Sequence, residues 1–470
     1  MNLIKNGFLL LVIVAVFNAC NVTKPVAPPA IDLPSKFRND SSEKTSGIAE
    51  LEWKRFFKDP ILQQLIQKAI SRNYDMQLAL KNIEYADLQL KQTRWSYLPD
   101  ARLQVTANTN RPSDNSLNGL SAKQFLGSTH VEDYSANINL SWEADIWGKI
   151  KNQRAAALAG YLQTEEAKKA VQTNIVAAVA QGYANLLRLD AQLAIARKNI
   201  ALNDSTLNII RLQFTAGQVN ALAVQQAEAQ HLSAAGLVPS LEKEIAVQEN
   251  ALSILAGTLP GRIQRNSLDN GLSWPGETSA GLPAEMVSRR PDVKRYELAL
   301  SIANAQAGIA KAAMYPSLSI TAAGGLNTFT ASNWFNVPAS LFGIVAGSIA
   351  QPLLQKKQLT TAYNLALVNR EKSVIQFRQA VLTAVGEVSD ALVKVEKLQF
   401  ERQLAITRVN TLQQAIVNAN MLFKTGMANY LEVITAQEKV LESELQLAAI
   451  TFEQTNAKTE LYRALGGGWR

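Results

Sequence analysis

The chain has 470 residues, 47% of them hydrophobic and 18% charged, a balance that excludes wholesale disorder. One cysteine excludes an internal disulfide and a cysteine zinc site, and the two histidines, His130 and His231, are too far apart in sequence to suggest a metal centre or a Cys/His nucleophile. The net charge of +8 is spread thinly, without the basic runs and interleaved aromatics of nucleic-acid binding.

Lys5 precedes an apolar run from Phe8 to Phe17, then Asn18, Ala19 and Cys20. The run is too short to span a bilayer but suits a signal-peptide core, so residues 1–19 read as a signal peptide. Bulky Phe17 disfavours ordinary cleavage, and Phe17-Asn18-Ala19-Cys20 resembles a loose lipoprotein box, which makes Cys20 the expected lipidation site. Asn21 is not the Asp associated with inner-membrane retention in some bacteria, so an outer-membrane destination is allowed. Residues 20–48, with Pro25, Pro28, Pro29 and Pro34, read as an extended tether. No later stretch has 18 consecutive apolar residues, so if the mature chain spans a membrane only a closed β-barrel remains.

The chain repeats itself. Ser71 to Asp75 recurs as Ser288 to Asp292 at an offset of 217, and Phe214 to Gly217 matches Phe423 to Gly426 at an offset of 209. Residues 49–257 and 284–466 are therefore two copies of one module, joined by residues 258–283 and followed by a tail, 467–470. Each copy reads short helix, strand, loop, strand, long helix, turn, short helix. In the first copy a short helix is expected near 71–96 and strands around Leu103–Asn108 and Ser135–Trp142. The connection Thr109–Glu132 between those strands is long and rich in Ser, Asn and Gly.

Residues 151–212 then read as one helix of about 93 Å at 1.5 Å per residue. Leu186, Leu189, Leu193, Ala196, Ile200, Asn203, Leu207, Ile210 and Phe214 step by alternating 3 and 4, the spacing of side-by-side helices. A turn at Gly217 leads to a short helix near 220–256. The two short helices together nearly match the long one, so they fit end to end along it. In the second copy, Ser317–Ala322 alternates as a strand, 342–351 is a less regular one, and Gly324–Leu341 is the loop between them. Val381, Val385, Val388, Leu392 and Val395 open the second long seam, which continues in a shifted register through Ala405, Val409, Leu412, Ile416, Ala419 and Phe423. Four strands cannot close a barrel, whereas three copies give twelve. The expected fold is an all-α coiled coil joined to transmembrane β structure: a trimeric twelve-stranded barrel continuous with a long α-helical barrel.

Arg289-Arg290-Pro291-Asp292, Ala303-Asn304-Ala305, Tyr315-Pro316-Ser317, the stretch Leu140 to Lys149 and the ending Tyr462 to Trp469 resemble the outer-membrane efflux proteins of the TolC and OprM type, in their lipoprotein (NodT-type) branch. The resemblance spans roughly residues 50 to 469. It implies a homotrimer in outer-membrane lipid with its helical part in the periplasm of a Gram-negative bacterium. It further implies docking to a periplasmic adaptor and, through it, an inner-membrane transporter of the resistance–nodulation–division class. The cargo would be drugs and other small toxic compounds.

The turns after the long helices become the periplasmic tips. Phe214, Ala216, Gly217 and Asn220, with Phe423, Thr425, Gly426 and Asn429, are the expected adaptor contacts. Gly217 and Gly426 can take positive φ, Asn220 and Asn429 are placed as N-caps, and Glu432 completes a capping box. Alignment on the Gly426 turn puts Leu431 at the family's aperture leucine and Thr435 where an aspartate is often found; Leu222 and Gln226 are the first-copy equivalents. The same Leu431 could instead be coiled-coil core. Arg211, Asp204 and Lys424 are nearby ion-pair candidates. No cofactor or metal is expected. The glycines Gly261 and Gly466–Gly468 lack the Lys-Ser/Thr of a phosphate loop, and Glu165-Glu166 reads as solvated helix surface rather than a catalytic pair. A type I secretion duct and a pore-free coiled-coil scaffold are the alternatives.

Overall fold

The computed structural model describes residues 34, 36, 37, 48–268 and 283–470. Cys20, the leader, most of the tether and residues 269–282 of the inter-repeat segment lie outside the described residues. The first copy contains α1 (Pro60–Arg72), α2 (Tyr74–Trp95), β1 (Asp100–Asn110), β2 (Val131–Ala144), α3 (Lys149–Thr215) and α4 (Ala221–Leu255). The second contains α5 (Pro283–Arg289), α6 (Pro291–Ala312), β3 (Ser317–Thr328), β4 (Leu341–Ala350), α7 (Gln358–Lys424) and α8 (Tyr430–Ala464). Three pairs of corresponding helices have equal lengths: 22 residues for α2 and α6, 67 for α3 and α7, 35 for α4 and α8. The shorter second copy loses its residues in the loop between strands, which spans 111–130 in the first copy and only 329–340 in the second.

Several boundaries differ from expectation. The first short helix starts at Tyr74, not 71, and α1 precedes it. Asn73 is extended, and its side chain accepts from the Asp75 and Met76 amides at 2.8 and 3.2 Å, so it ends one helix and caps the next. The strands run further into both predicted loops, to Asn110 and Thr328. The first loop also carries a short helix at Leu117–Ser121 and a π turn at Ala122–Leu126. Among the described residues no helix is long and apolar enough to cross a membrane.

The described residues form two compact units. One comprises Glu84–Leu162 and Glu297–Ile375 and holds the sheet. The other comprises the described parts of Ala30–Ile83 with Gln163–Tyr296 and Gln376–Arg470. The second unit has one main apolar core, in which Leu62, Ile66, Tyr183, Leu186, Val381 and Leu461 are fully enclosed. Each such side chain contributes about 1.5–3 kcal/mol by burial. Phe56 stacks on Tyr462 with ring centroids 4.0 Å apart, and burial pushes the Tyr462 hydroxyl above its ordinary range. Of the long-helix seam, Leu186, Leu189, Ala196, Asn203, Leu207 and Ile210 are buried, but Leu193 and Ile200 are only half-buried. Phe214 is 46% exposed, whereas its second-copy counterpart Phe423 is buried.

The end-to-end helix joint is built the same way in both copies. Asn73 Nδ2 donates to the Leu255 carbonyl at 3.1 Å, closing the end of α4 on the start of α2. In the second copy Arg290 Nη1 donates to the Ala464 carbonyl at 2.9 Å, closing α8 on α6. Both pairs fall at the repeat offsets of 217 and 209.

The start of the inter-repeat segment is clamped to the helices. Arg265 reaches Asp190 on α3 at 2.5 and 2.9 Å and Glu249 on α4 at 2.5 Å. Bonding to Asp190 chiefly holds its pKa above the ordinary value, against the opposing effect of burial. Next to it, Asn266 Nδ2 donates to Asp59, which also accepts from the Tyr183 hydroxyl at 2.7 Å. Arg265→Leu is expected to lower stability by about 2–4 kcal/mol, because two partly buried carboxylates lose their cation. Urea melts measure the loss, and faster protease cleavage within 258–268 should accompany it.

Candidate functional site

The four strands form one antiparallel sheet in the order β1-β2-β3-β4. Residues directly opposite one another share a face, so the register decides what each face carries. Leu103 pairs with Ile138, Ile138 with Gly324, and Gly324 with Gly343. Leu140 pairs with Ala322, and Ala322 with Val345. That face is apolar across all four strands. Leu103, Val105, Ile138, Val345 and Ile349 on it are 54–80% exposed in the single chain. The opposite face carries Gln104 against Asn137, Arg102 against Asn139 and Ser141 against Thr321. β4 breaks the rule in mid-sheet, with Phe342 and Ile344 on the polar side, and at the loop end of β2 Val131 falls on the polar face and Glu132, opposite Thr109, on the apolar one.

The apolar face ends in aromatic rings at both ends. Tyr134 and Trp142 lie on it eight residues apart along β2, about 27 Å at strand rise. Tyr134 packs on Trp334 at 5.3 Å, and Trp334 stacks on Phe335 at 5.5 Å. At the other end the Trp142 indole donates to the Tyr97 carbonyl at 2.9 Å. Trp147 stacks on Tyr315 at 4.8 Å and donates to the Pro316 carbonyl at 2.6 Å. An apolar band about 25 Å tall between two aromatic girdles is the pattern that the lipid-facing surface of a transmembrane barrel carries.

The two long-helix turns come together within the second unit. Gly217 and Gly426 take φ of 72° and 76°, a region that an L side chain rarely enters. Asn220 caps α4 by accepting from the Ala223 amide at 3.1 Å. Asn429 caps α8 by accepting from Leu431 and Glu432 at 2.9 and 3.3 Å, the asparagine half of the expected capping box. Beneath the turns Leu207, Ile210, Ala223, Ala227, Phe423 and Val433 form a separate small core drawn from both copies. The Tyr430 hydroxyl donates to Gln226 Oε1 at 2.8 Å, and Gln437 Nε2 donates to Thr206 Oγ1 at 2.8 Å, tying α8 to α4 and α3.

Leu222 and Leu431 are 54% and 49% exposed, and Gln226 and Thr435 are exposed as well. Within one chain Leu431 is thus outside the core, a place taken by Val433 two residues on. Ala216, Thr425 and Phe214 are exposed around the glycines, and buried Phe423 is the tip residue without a free surface. Arg211 pairs with Glu228 at 3.5 Å and Asp204 faces His231 at 3.3 Å, partners that sequence spacing did not identify. The sequence reading also missed the cross-copy bond from Tyr430 to Gln226, since nothing local links residues so far apart.

The family model described as "Outer membrane efflux protein" matches residues 65–258 and 282–467, so the chain belongs to the outer membrane efflux protein family. The chain is similar to the cation efflux system protein CusC of Escherichia coli, with 28% identity over 456 residues and 96% of each chain covered. It is 31% identical over 428 residues to the probable efflux pump outer membrane protein SepC of Pseudomonas putida, covering 90% of this chain and 86% of that one. The probable outer membrane lipoprotein SilC of Salmonella typhimurium is 26% identical, with 94% of each covered. Among solved structures, CusC superposes with a TM-score of 0.84 at 26% identity, over 96% of this chain and 100% of that one. The outer-membrane channel OprN shares the fold, with a TM-score of 0.87 at 22% identity over the same shares. The chain is an outer-membrane efflux channel, a duct for transport rather than an enzyme.

Proposed function

We propose that three copies close a twelve-stranded barrel in the outer membrane that continues into an α-helical tunnel in the periplasm. The trimer is a passive exit duct for drugs and other small toxic compounds. A periplasmic adaptor and an inner-membrane transporter of the resistance–nodulation–division class deliver them. The observation that carries this reading is the register, which separates an apolar from a polar face across four strands and brackets the apolar one with aromatics at membrane spacing. Within the described sheet β1 and β4 each pair on one side only. Because four is even, β4 of one copy runs antiparallel to β1 of the next, so the open edges can close the barrel. A scaffold without a pore leaves the apolar face without a role.

Relatives named for cations and for toluene match over nearly the same span, which favours a duct whose cargo is chosen upstream. Cys20 is the lipid anchor, a reading supported by the lipoprotein name of one relative. The exposed turn residues around Gly217 and Gly426 meet the adaptor. Leu222, Gln226, Leu431 and Thr435 face the narrow end of the tunnel.

Purified protein is expected to run as a trimer and to conduct ions in planar bilayers; a non-conducting monomer refutes the reading. Leu431→Ser should raise conductance. Ala216→Asp with Thr425→Asp should reduce cross-linking to the co-purifying adaptor and sensitise cells to exported compounds. Cys20→Ala should abolish palmitate labelling.

A further inference from the structure

The polar sheet face carries few formal charges, and all of them but Asp133 come in opposed pairs. At the helix end, Arg102 Nε donates to Asp100 Oδ2 at 2.8 Å on β1. On β2, Glu143 accepts at 3.0 and 3.1 Å from Lys149 Nζ, at the first residue of α3. Two carboxylates and two cations per chain therefore cancel in one collar. Along the middle of the face stand amides bonded to one another. Asn139 Nδ2 donates to Gln104 Oε1 at 3.1 Å and to Asn137 Oδ1 at 2.7 Å, and Asn137 Nδ2 donates to Ser135 Oγ at 2.8 Å. The next carboxylate on this face, Asp133, lies at the opposite end and accepts from Asn327 Nδ2 at 2.8 Å.

We infer that the helix-end collar of the barrel wall is a charge-compensated section, and that Arg102 and Glu143 hold its balance and so set its indifference to the sign of the cargo. This rests on the reading above, in which the polar face lines the lumen. The amides hold one another in place, so they offer fixed donors and acceptors and no net field. A cation, an anion and a neutral amphiphile then meet a similar wall. The collar is different, because each residue occurs three times in the trimer. Removing one cation leaves three unopposed carboxylates in a ring. A potential of that kind reaches about 10 Å into solution at about 0.1 M salt, and only about 3 Å at 1 M.

The test is the reversal potential of reconstituted full-length channels across a potassium chloride gradient near 0.1 M. Wild type should reverse close to zero. Arg102→Gln should shift toward cation selectivity through Asp100, and Glu143→Gln toward anion selectivity through Lys149. Both shifts should fade near 1 M salt. Arg102→Lys should restore the wild-type value. Asn139→Asp, which leaves the collar intact, should give the cation shift by a second route. Strong selectivity in wild type that neither collar variant alters overturns the assignment, as do shifts of the same sign in both. Absence of conductance in every channel, wild type included, refutes the duct itself and the assignment with it.

Discussion

Arg290→Met is expected to cost the folded chain about 3 kcal/mol, the lower end of the range for breaking a buried ion pair. Arg290 is 4% exposed. Its guanidinium meets Asp292 at 2.6 and 3.0 Å, Glu387 at 2.8 Å and the Ala464 carbonyl at 2.9 Å. Methionine fills much of the volume but leaves the α8 carbonyl and the Asp292 carboxylate without their donor and takes one of two cations from Glu387, which keeps Arg463 at 3.7 Å. Those carboxylates are 44% and 34% exposed, so water recovers part of the loss. Asn73→Ala removes the equivalent bond in the first copy together with a helix cap. It should cost only about 1–2 kcal/mol, because no charge is stranded.

Acid separates the two variants further. Burial pushes the Asp292 carboxyl up, but bonding and charge from Arg290 outweigh it and hold the carboxyl below its ordinary value. A carboxyl depressed in the folded state adds stability above its unfolded pKa, near 3.9, and that stability is lost as pH falls through the folded value. Wild type and Asn73→Ala should therefore lose stability on acidification below about pH 4, whereas Arg290→Met should show a smaller loss over that window. Urea melts at neutral pH and near pH 3 measure both effects. Equal acid losses in the two variants would show that Arg290 does not govern Asp292.

What could be read from the sequence follows how local each feature is. Gly217, Asn220, Gly426 and Asn429 were assignable because a cap and its partner amides lie within three residues. The repeat fixed the order of elements, and the equal helix lengths follow from it. Asn73 shows the limit. Its capping role is local, but its bond to Leu255 is not, so α1 and the break after it went unseen. Phe214 fits the 3-4 spacing yet is exposed while Phe423 is buried, because a spacing rule does not say which of several neighbours a helix turns toward. β4 was the least regular strand for a visible reason: Phe342 and Ile344 put apolar side chains on both faces. Arg265 stands where no motif marks it, and its partners are 75 and 16 residues away.

Gly325→Val should prevent stable assembly, whereas Gly343→Ala should leave it unchanged. Gly325 sits on β3 opposite Asn137 of β2. A Cβ there would overlap the Ala136 carbonyl oxygen and lie 2.5 Å from the Asn137 Cα, both backbone atoms that no rotamer change moves aside. At Gly343, on β4, a Cβ would have nothing within 4 Å, and at Gly324 the nearest atom would be an ordinary 3.7 Å away. The crowded glycine thus lies at the β2–β3 contact. That contact joins the strand pair of the first copy to that of the second. Opening it costs about 3 kcal/mol or more, as overpacking does, and it also breaks the continuity that lets four strands act as one third of a barrel. The bonds lost lie in the span expected to sit in lipid, where unpaired backbone groups find no water. Heat-resistant trimer on gels and conductance per milligram should both collapse for Gly325→Val and stay at wild-type values for Gly343→Ala. A conducting Gly325→Val trimer would mean that β2 and β3 are not paired at this point in the membrane, and the two-faced register would lose its support.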